Sequence, residues 1–424
     1  MSSVKTYICL DIGGTYIKHG LLTETGEILT KGKVPTRAKE GGQAVFEQAV
    51  ELVEGYLEKE KMKISSGDVS GKGETELPRS DRGETFIISF GEMSSAENDL
   101  ESDKEESLIR QTQAKSEFLK TDEAATGMQD PAGGISGITI STAGMVDPET
   151  GTILHASDAI PGYAGISYKA YMEERFHLPC AVENDVNCAG LAESISGAGK
   201  ESRINLCLTV GTGIGGCFVV DGKIFHGASN SACEVGYMHL APGAFQDEAA
   251  TSALVRRVTE RKRAEAEKLA LDNGKATEEH GDSAEIPLDE NGDSVAVQPE
   301  EGENPTAIRS EKNGDSATTH TEAWDGFRIF EAAKAGDPIC QEELDRLADL
   351  LGMGIANICF VINPERIILG GGIMEQEAYM KPRIEAALEK YLVPQIWKHT
   401  TVCMAAYQNN AGMLGALYHL QAEI

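Results

Sequence analysis

The stretch Asp11-Ile12-Gly13-Gly14-Thr15-Tyr16-Ile17-Lys18 ends one apolar run and begins another. Adjacent glycines let a backbone turn tightly and aim N–H groups at an anion, and a threonine hydroxyl can donate to a phosphate oxygen. Asp11, at a strand end, is placed to hold Mg²⁺ through water, while Lys18 reads either as a phosphate ligand or as a local ion-pair partner. A glycine-rich hairpin with no ligand has the same appearance, so this turn alone leaves both readings open. A second turn, Thr209-Val210-Gly211-Thr212-Gly213-Ile214-Gly215-Gly216, stands at the matching point of the chain's second half. Two phosphate hairpins suit one bound nucleotide, with Gly211, Thr212 and Gly213 at the tip of the second. A third cluster, Gly370-Gly371-Gly372, follows an apolar strand and is expected to open a helix, where bare backbone at Gly371 and Gly372 lets a flat adenosine approach. That cluster lacks the dinucleotide spacing G-x-G-x-x-G, and no Walker A sequence occurs.

Between the hairpins lies Glu183-Asn184-Asp185-Val186-Asn187, at the end of a strand and the start of a helix. A carboxylate there can accept the proton of an attacking hydroxyl, and flanking amides can hold neighbouring hydroxyls. Helix capping by Asn or Asp accounts equally well for such a junction.

The elements that must position these residues alternate between strands and helices, which makes the chain α/β. Residues 4–10, 16–22 and 28–34 read as an antiparallel meander, followed by a helix from Gly42 to Lys59 with Val45, Ala49, Leu52, Val53 and Leu57 on one face. Then come a strand (135–140), a helix (167–176), a strand (180–183) and a helix from Val186. A second meander at 205–210, 216–220 and 223–225 repeats the order, so two similar α/β lobes facing a cleft are expected. A long buried helix over 344–362, with Leu347, Leu351, Ile355 and Ile358 recurring, backs the strand before Gly370. The basic cluster Arg256, Arg257, Arg261, Lys262 and Arg263 has glutamates interleaved and reads as a solvated helix face.

The chain has 424 residues, 38 Lys+Arg against 68 Asp+Glu, and a net charge of −30. Such an acidic surface argues against nucleic-acid or membrane partners. Much of the excess sits in two segments poor in periodic apolar residues, 65–126 with 15 acidic and 7 basic residues, and 272–322 with 14 and 3. Both read as mobile acidic insertions, although Thr85 to Phe90 is β-prone. The expected division is an N-terminal lobe at 1–145 with the first insertion, and a C-terminal lobe at 146–424 with the second. The nine cysteines sit mostly in apolar runs without Cys-x-x-Cys, as reduced core residues do. No apolar run reaches membrane-spanning length, and the first residues lack a signal-peptide pattern, so a cytoplasmic location is expected.

The ordered motifs DIGGTYIK (11–18), STAGMVD (141–147), IPGYAG (160–165), ENDVN (183–187), GTGIGG (211–216), EVGY (234–237) and INPERIILGGGI (362–373) resemble those of the ROK sugar kinases. The resemblance spans essentially everything outside the two insertions. It implies a two-lobed actin-like ATPase fold of ribonuclease H-like type, with a mixed five-stranded sheet in each lobe and a cleft between them. It also implies ATP and Mg²⁺ as cofactors, a hexose substrate phosphorylated at its 6-hydroxyl, and a homodimer as a partner state. Carried over by motif, Asp185 is the general base, Asn184 and Glu234 are sugar ligands, and Gly162 lies in the loop bordering the sugar. Asp11, Gly13, Gly14, Thr15, Lys18, Gly211, Thr212, Gly213, Gly371 and Gly372 fall on the nucleotide-binding turns.

The chain departs from the family pattern at Tyr237, where most members carry a histidine that joins three cysteines in a structural zinc site. Residues 238–255 contain no cysteine, so no structural zinc is expected there. The same departure occurs in β-glucoside kinases and some N-acetylmannosamine kinases, and it leaves Tyr237 to border a group at C1 or C2 of the sugar. Family regulators that sense sugars carry a DNA-binding segment before the first phosphate strand. Here that strand begins near Val4, so a sensor without such a domain is the rival from another class.

Overall fold

The computed structural model describes residues 4–66, 134–278 and 323–424. Most of the two expected insertions, including Thr85 to Phe90, therefore lies outside the described residues. Met1–Glu54 together with Ile135–Ile424 form one compact unit, and Gly55–Gly134 form a second, of which residues 55–66 and 134 are described.

The N-terminal meander forms as its alternation dictates. Strands β1 (Thr6–Ile12), β2 (Tyr16–Thr23) and β3 (Ile28–Pro35) pair antiparallel, with Asp11 opposite Lys18 and Ile12 opposite Ile17. β1 is buried along most of its length, whereas β3, with Lys31 and Lys33, is a largely exposed edge. After helix α1 (Gly42–Ser66), β4 (Ile135–Thr142) adds parallel to β1, and beyond it β7 (Cys180–Asn184) adds parallel to β4. The intervening chain contains the small hairpin β5 (Met145–Asp147) and β6 (Thr152–His155) and helix α2 (Lys169–Phe176). The first sheet thus has the order β3-β2-β1-β4-β7.

Helix α3 (Asp185–Ile195) leads to the second sheet. Strands β8 (Ile204–Val210), β9 (Ile214–Val220) and β10 (Lys223–Ile224) form its antiparallel side. Helices α4 (Phe245–Ala249), α5 (Thr251–Glu278), α6 (Gly326–Lys334) and α7 (Pro338–Ile362) follow, before β11 (Arg366–Gly370) joins β8 in parallel. Helices α8 (Glu377–Tyr391) and α9 (Pro394–Trp397) precede β12 (Thr401–Met404), and α10 (Ala411–Glu423) ends the chain. The order β10-β9-β8-β11-β12 repeats that of the first sheet. The expectation of two mixed five-stranded sheets describes the molecule.

Several boundaries differ from those read in the sequence. α7 starts at Pro338, because the Asp337 carboxylate caps it by accepting the Cys340 N–H at 3.0 Å. α5 continues to Glu278 and α1 to Ser66, each into the start of an expected insertion. β7, at 180–184 and beyond the expected division at 145/146, hydrogen-bonds to β4 and so belongs to the first sheet. The C-terminal helix returns there too, packing Met413, Leu414, Leu417 and Leu420 against Tyr7, Cys9, Leu22 and Ala181. The largest core cluster joins the second sheet to α7 through Leu344, Leu347, Leu351 and Ile355, all fully buried. Seven of the nine cysteines are buried, all nine are unpaired, and burial pushes most of their thiols up. Among the described residues, no helix is long and apolar enough to cross a membrane.

Candidate active site

The site grows from the junction of β7 and α3. Asn184 caps the helix: its side-chain oxygen accepts the N–H groups of Val186 and Asn187 at 2.9 and 3.0 Å. Its amide donates to the Gly144 carbonyl at 2.8 Å and to Asp185 Oδ1 at 3.1 Å. The capping reading therefore describes Asn184, whose amide is committed to protein groups.

Asp185 begins the helix, half-buried. Its Oδ1 accepts the Val186 N–H at 2.9 Å, while Oδ2 has no hydrogen-bond partner among the described residues. Burial and the nearby charge of Asp11 push its carboxyl up to about 7, with a smaller contribution from Glu234, against the opposing backbone hydrogen bonds. Three carboxylates from distant parts of the chain thus converge. Glu234 itself is raised by burial, and His155 at the end of β6 opposes that shift.

Asp11 is held from both sides. Ser141, its parallel-strand neighbour on β4, donates to Oδ1 at 2.8 Å, and Lys18, opposite it on β2, pairs with Oδ2 at 3.1 Å. Lys18 therefore makes the local ion pair that was one of its two readings. The Gly13-Gly14-Thr15 turn is braced by the Thr36 hydroxyl, which donates to the Gly13 carbonyl at 2.7 Å, and by the Thr36 N–H on the Thr15 carbonyl at 3.0 Å.

The second hairpin meets the first turn of α3. A Cβ on Gly215 would come within 2.5 Å of Val186 Cγ2, so only glycine lets β9 pass so close to Asp185's helix. Gly211, Gly213 and Gly216 satisfy G-x-G-x-x-G, yet the run turns back into an antiparallel strand and opens no helix, which removes the dinucleotide reading. The Gly211 carbonyl accepts the Thr251 N–H at 2.9 Å and the Thr212 carbonyl accepts the Ser252 hydroxyl at 2.6 Å, fixing the turn on the start of α5.

The third glycine cluster lines a cavity of about 410 Å³, within the range of small-ligand sites. Gly370, Gly371 and Gly372 share it with Thr209, Glu193, Ala405, Gln408 and Asn409. Gly371 has φ +101°, and a Cβ there would strike the Val210 carbonyl, whereas one on Gly372 would meet open space. The expected helix after this cluster is a single 3-10 turn, Gly372–Glu375, before α8. The Gly13 to Thr15 and Gly211 to Gly213 turns are not part of the cavity lining.

Glu193 was not visible as a site residue in the sequence. It is fully buried, and its carboxylate accepts the N–H of Ala198 at 2.9 Å and of Tyr407 at 2.8 Å. No signal near Glu193 points to Tyr407, which lies 214 residues away. Ser141, which donates to Asp11, and His155, which opposes the shift of Glu234, were also missed individually.

Around the other side of Asp185, Gly162 has φ +66° and open space where a Cβ would be. The adjacent Tyr163 anchors that loop through a buried hydroxyl chain to Thr142 at 2.6 Å and Tyr168 at 2.9 Å. Tyr237 is 54% exposed, and His239 is exposed. Between Met238 and Phe245 the chain turns into the core, with Phe245 fully buried. Among the described residues, no group of three or more His, Cys, Asp or Glu converges on a metal position.

Two five-stranded sheets of the same strand order, with glycine turns at matching strand ends, give the molecule a two-lobed actin-like fold. The ROK family model matches residues 92–253 and 306–423, and the chain belongs to the ROK family. It is 33% identical over 415 residues to an uncharacterized protein of Clostridium perfringens, covering 98% of this chain and 97% of that one. A β-glucoside kinase of Listeria innocua is 28% identical over 290 residues, covering 68% and 80% of the respective chains. Among solved structures, a ROK family glucokinase from Streptomyces griseus in complex with glucose and AMPPNP aligns at TM-score 0.58 and 22% identity, over 97% of this chain and 98% of that one. That likeness shows the shared fold.

Proposed function

We propose that the chain is an ATP-dependent sugar kinase that phosphorylates the 6-hydroxyl of a hexose, with Asp185 as general base. The observation that carries this reading is the Asp185 carboxyl. It has one oxygen without a partner, it is raised to about 7, and it stands at a helix start that touches the second glycine hairpin. A base of that strength takes a hydroxyl proton late in the transfer, once the oxygen has begun to bond to phosphorus. Phosphoryl transfer depends mainly on positioning and on charge stabilisation. The braced turns at Gly13 to Thr15 and Gly211 to Gly213 offer backbone N–H groups to the phosphates, and the 410 Å³ cavity at Gly371 and Gly372 suits the adenosine. The AMPPNP bound by the glucokinase relative supports that assignment.

Magnesium fits Asp11. Its two oxygens each have one partner and keep lone pairs free, and a cation that retains its waters asks for one or two carboxylates besides phosphate oxygens. When bound, Mg²⁺ supplies charge neutralisation at the transferring phosphate. The sugar is held between Glu234, the Gly162 loop and Asp185, and Asn184 contributes by fixing the direction of the helix start. Tyr237, more than half exposed at the rim, together with the open space at Gly162, leaves room for a substituent at C1 or C2. That supports β-glucosides and N-acetylmannosamine beside glucose, and the Listeria relative supports the first.

A coupled ADP-release assay over glucose, cellobiose, an aryl β-glucoside and N-acetylmannosamine tests the reading. Turnover of at least one of them is expected. Sugar binding without turnover of any 6-hydroxy sugar would favour the sensor alternative instead.

A further inference from the structure

The segment between β10 and the Val235–Tyr237 turn closes on itself. The Ala232 N–H donates to the His226 carbonyl at 3.0 Å, making residues 226–232 a compact loop, inside which the Ser229 and Ser231 hydroxyls bond at 2.8 Å. Gly227 and Asn230 take left-handed backbone, and the sequence Gly227-Ala228-Ser229-Asn230 has no large apolar side chain to hold the loop by burial. Its fixed points are polar and lie on the first sheet's side of the molecule. At the neck, His226 Nε2 is 2.6 Å from Glu183 Oε2, and at the tip, Asn230 Nδ2 donates to Asp147 Oδ1 at 3.2 Å.

Glu183 makes the first anchor firm. It is 1% exposed, and its other oxygen accepts the Asn184 N–H at 2.7 Å and the Asn187 amide at 3.0 Å. A buried carboxylate is tolerated only when its oxygens are matched, so Glu183 requires His226 as strongly as His226 uses Glu183. The second anchor, Asp147, ends β5, and β6 of the same hairpin ends at His155, the residue that opposes the upward shift of Glu234. Glu234 stands two residues beyond the neck of the loop. From Cys233, also left-handed at φ +64°, the chain passes directly into that glutamate.

We propose that residues 226–232 form a clamp that fixes Glu234 in the sugar site, with His226 and Asn230 as positioning residues. This rests on the sugar-kinase reading of the same site. The clamp ties a sugar ligand that follows the second sheet's β10 to β7, the strand that leads into Asp185, so both walls of the sugar site share one rigid reference. The cavity at Gly370 to Gly372 has no residue in common with the clamp. Loosening the clamp therefore acts on the sugar and spares the nucleotide.

The test uses the full chain and the variants Asn230→Ala, His226→Leu and His226→Gln, with sugar KM, ATP KM and calorimetric sugar binding measured for each. Asn230→Ala and His226→Leu are expected to raise the sugar KM about tenfold or more, the scale of a small misplacement of a ligand group, with the ATP KM within about twofold. His226→Gln keeps an N–H donor at the Nε2 position and is expected to restore most of the loss. Asn230 is only half-buried, so its variant covers the case in which His226→Leu fails to fold. An unchanged sugar KM in folded Asn230→Ala, or sugar and ATP KM rising in parallel, overturns the clamp. If the parent protein binds sugars without phosphorylating them, the kinase reading fails while weaker sugar binding by the variants still supports the clamp. A parent that neither binds nor phosphorylates any sugar of the panel overturns both.

Discussion

Replacing Asp185 with asparagine separates catalysis from stability in opposite directions. The side-chain oxygen of asparagine still accepts the Val186 N–H, so the helix start keeps its hydrogen bond while the charge is gone. Raising a carboxyl from its ordinary 3.8 to about 7 means that the charged form is disfavoured in the fold, by burial and by Asp11. At about 1.4 kcal/mol per pH unit, the ionised group costs the folded state up to about 4 kcal/mol. Because the folded pKa lies above the unfolded one, the contribution of Asp185 to stability is greatest below pH 4, is lost as pH rises through about 7, and stays lost above it. The Asp185→Asn protein escapes that loss. It is expected to match the parent in stability at pH 4 and to exceed it at pH 8 by a few kcal/mol, seen as a higher melting temperature of several degrees. Its kcat is expected to fall about 10²- to 10⁴-fold, the contribution of a positioned general base, with AMPPNP binding retained. In the parent, kcat should rise with pH through a midpoint near 7. Thermal melts across pH and a coupled kinase assay decide the matter. A variant that is less stable than the parent at pH 8, or that retains full turnover, refutes the assignment of Asp185 as a strained base.

Three further expectations address the nucleotide side and the sugar rim. Gly371→Ala should lower stability and abolish nucleotide binding, because its Cβ strikes the Val210 carbonyl at a left-handed φ, whereas Gly372→Ala should fold normally and only raise the ATP KM; titration with a fluorescent ATP analogue compares them. Glu193→Gln should raise the ATP KM by about tenfold and leave the sugar KM unchanged, since Ala198 and Tyr407 donate to different carboxylate oxygens and the amide NH₂ would face one of those N–H groups in place of an acceptor. Tyr237→Ala should change the ratio of kcat/KM between glucose and aryl β-glucosides with little effect on melting temperature, as the exposed ring makes no contribution to the core; an unchanged ratio would remove it from the sugar rim.

What could be read from the sequence was local. The β1–β2 and β8–β9 hairpins announce themselves because alternation and adjacent glycines act within about ten residues. The strand-to-helix junction at Asp185 follows from Glu183 to Asn187 alone, although only coordinates show that Asn184 caps and Asp185 keeps an unpartnered oxygen. The sequence left the pairing of β7 with β4 and the return of α10 to the first sheet unspecified, because each joins segments whose patterns are complete without the other. Ser141 on Asp11 and Glu193 on Tyr407 are contacts across 130 and 214 residues, made by topology and invisible to spacing.

The position of every site residue follows from that topology. In each sheet the middle strand has an antiparallel neighbour on one side and a parallel one on the other, so the two sheets set matching strand ends at equivalent places. Asp11 is next to last in β1, Asn184 is last in β7, Gly211 follows β8, and Gly371 follows β11. Ser141 and Thr142 close β4. One architectural rule, applied twice, thus collects carboxylates from the first sheet and glycine turns from the second. α3, which packs on β8 and β9 and starts at β7, carries Asp185 from one set to the other. The raised carboxyl of Asp185 follows from the same arrangement, because burial at the start of α3 pushes it up first and the charges of Asp11 and Glu234 push it further. Neutralising Asp11 should accordingly lower the Asp185 pKa and shift the kcat midpoint toward acid. An Asp11→Asn protein whose residual activity keeps the parent midpoint would show that burial alone sets the base strength.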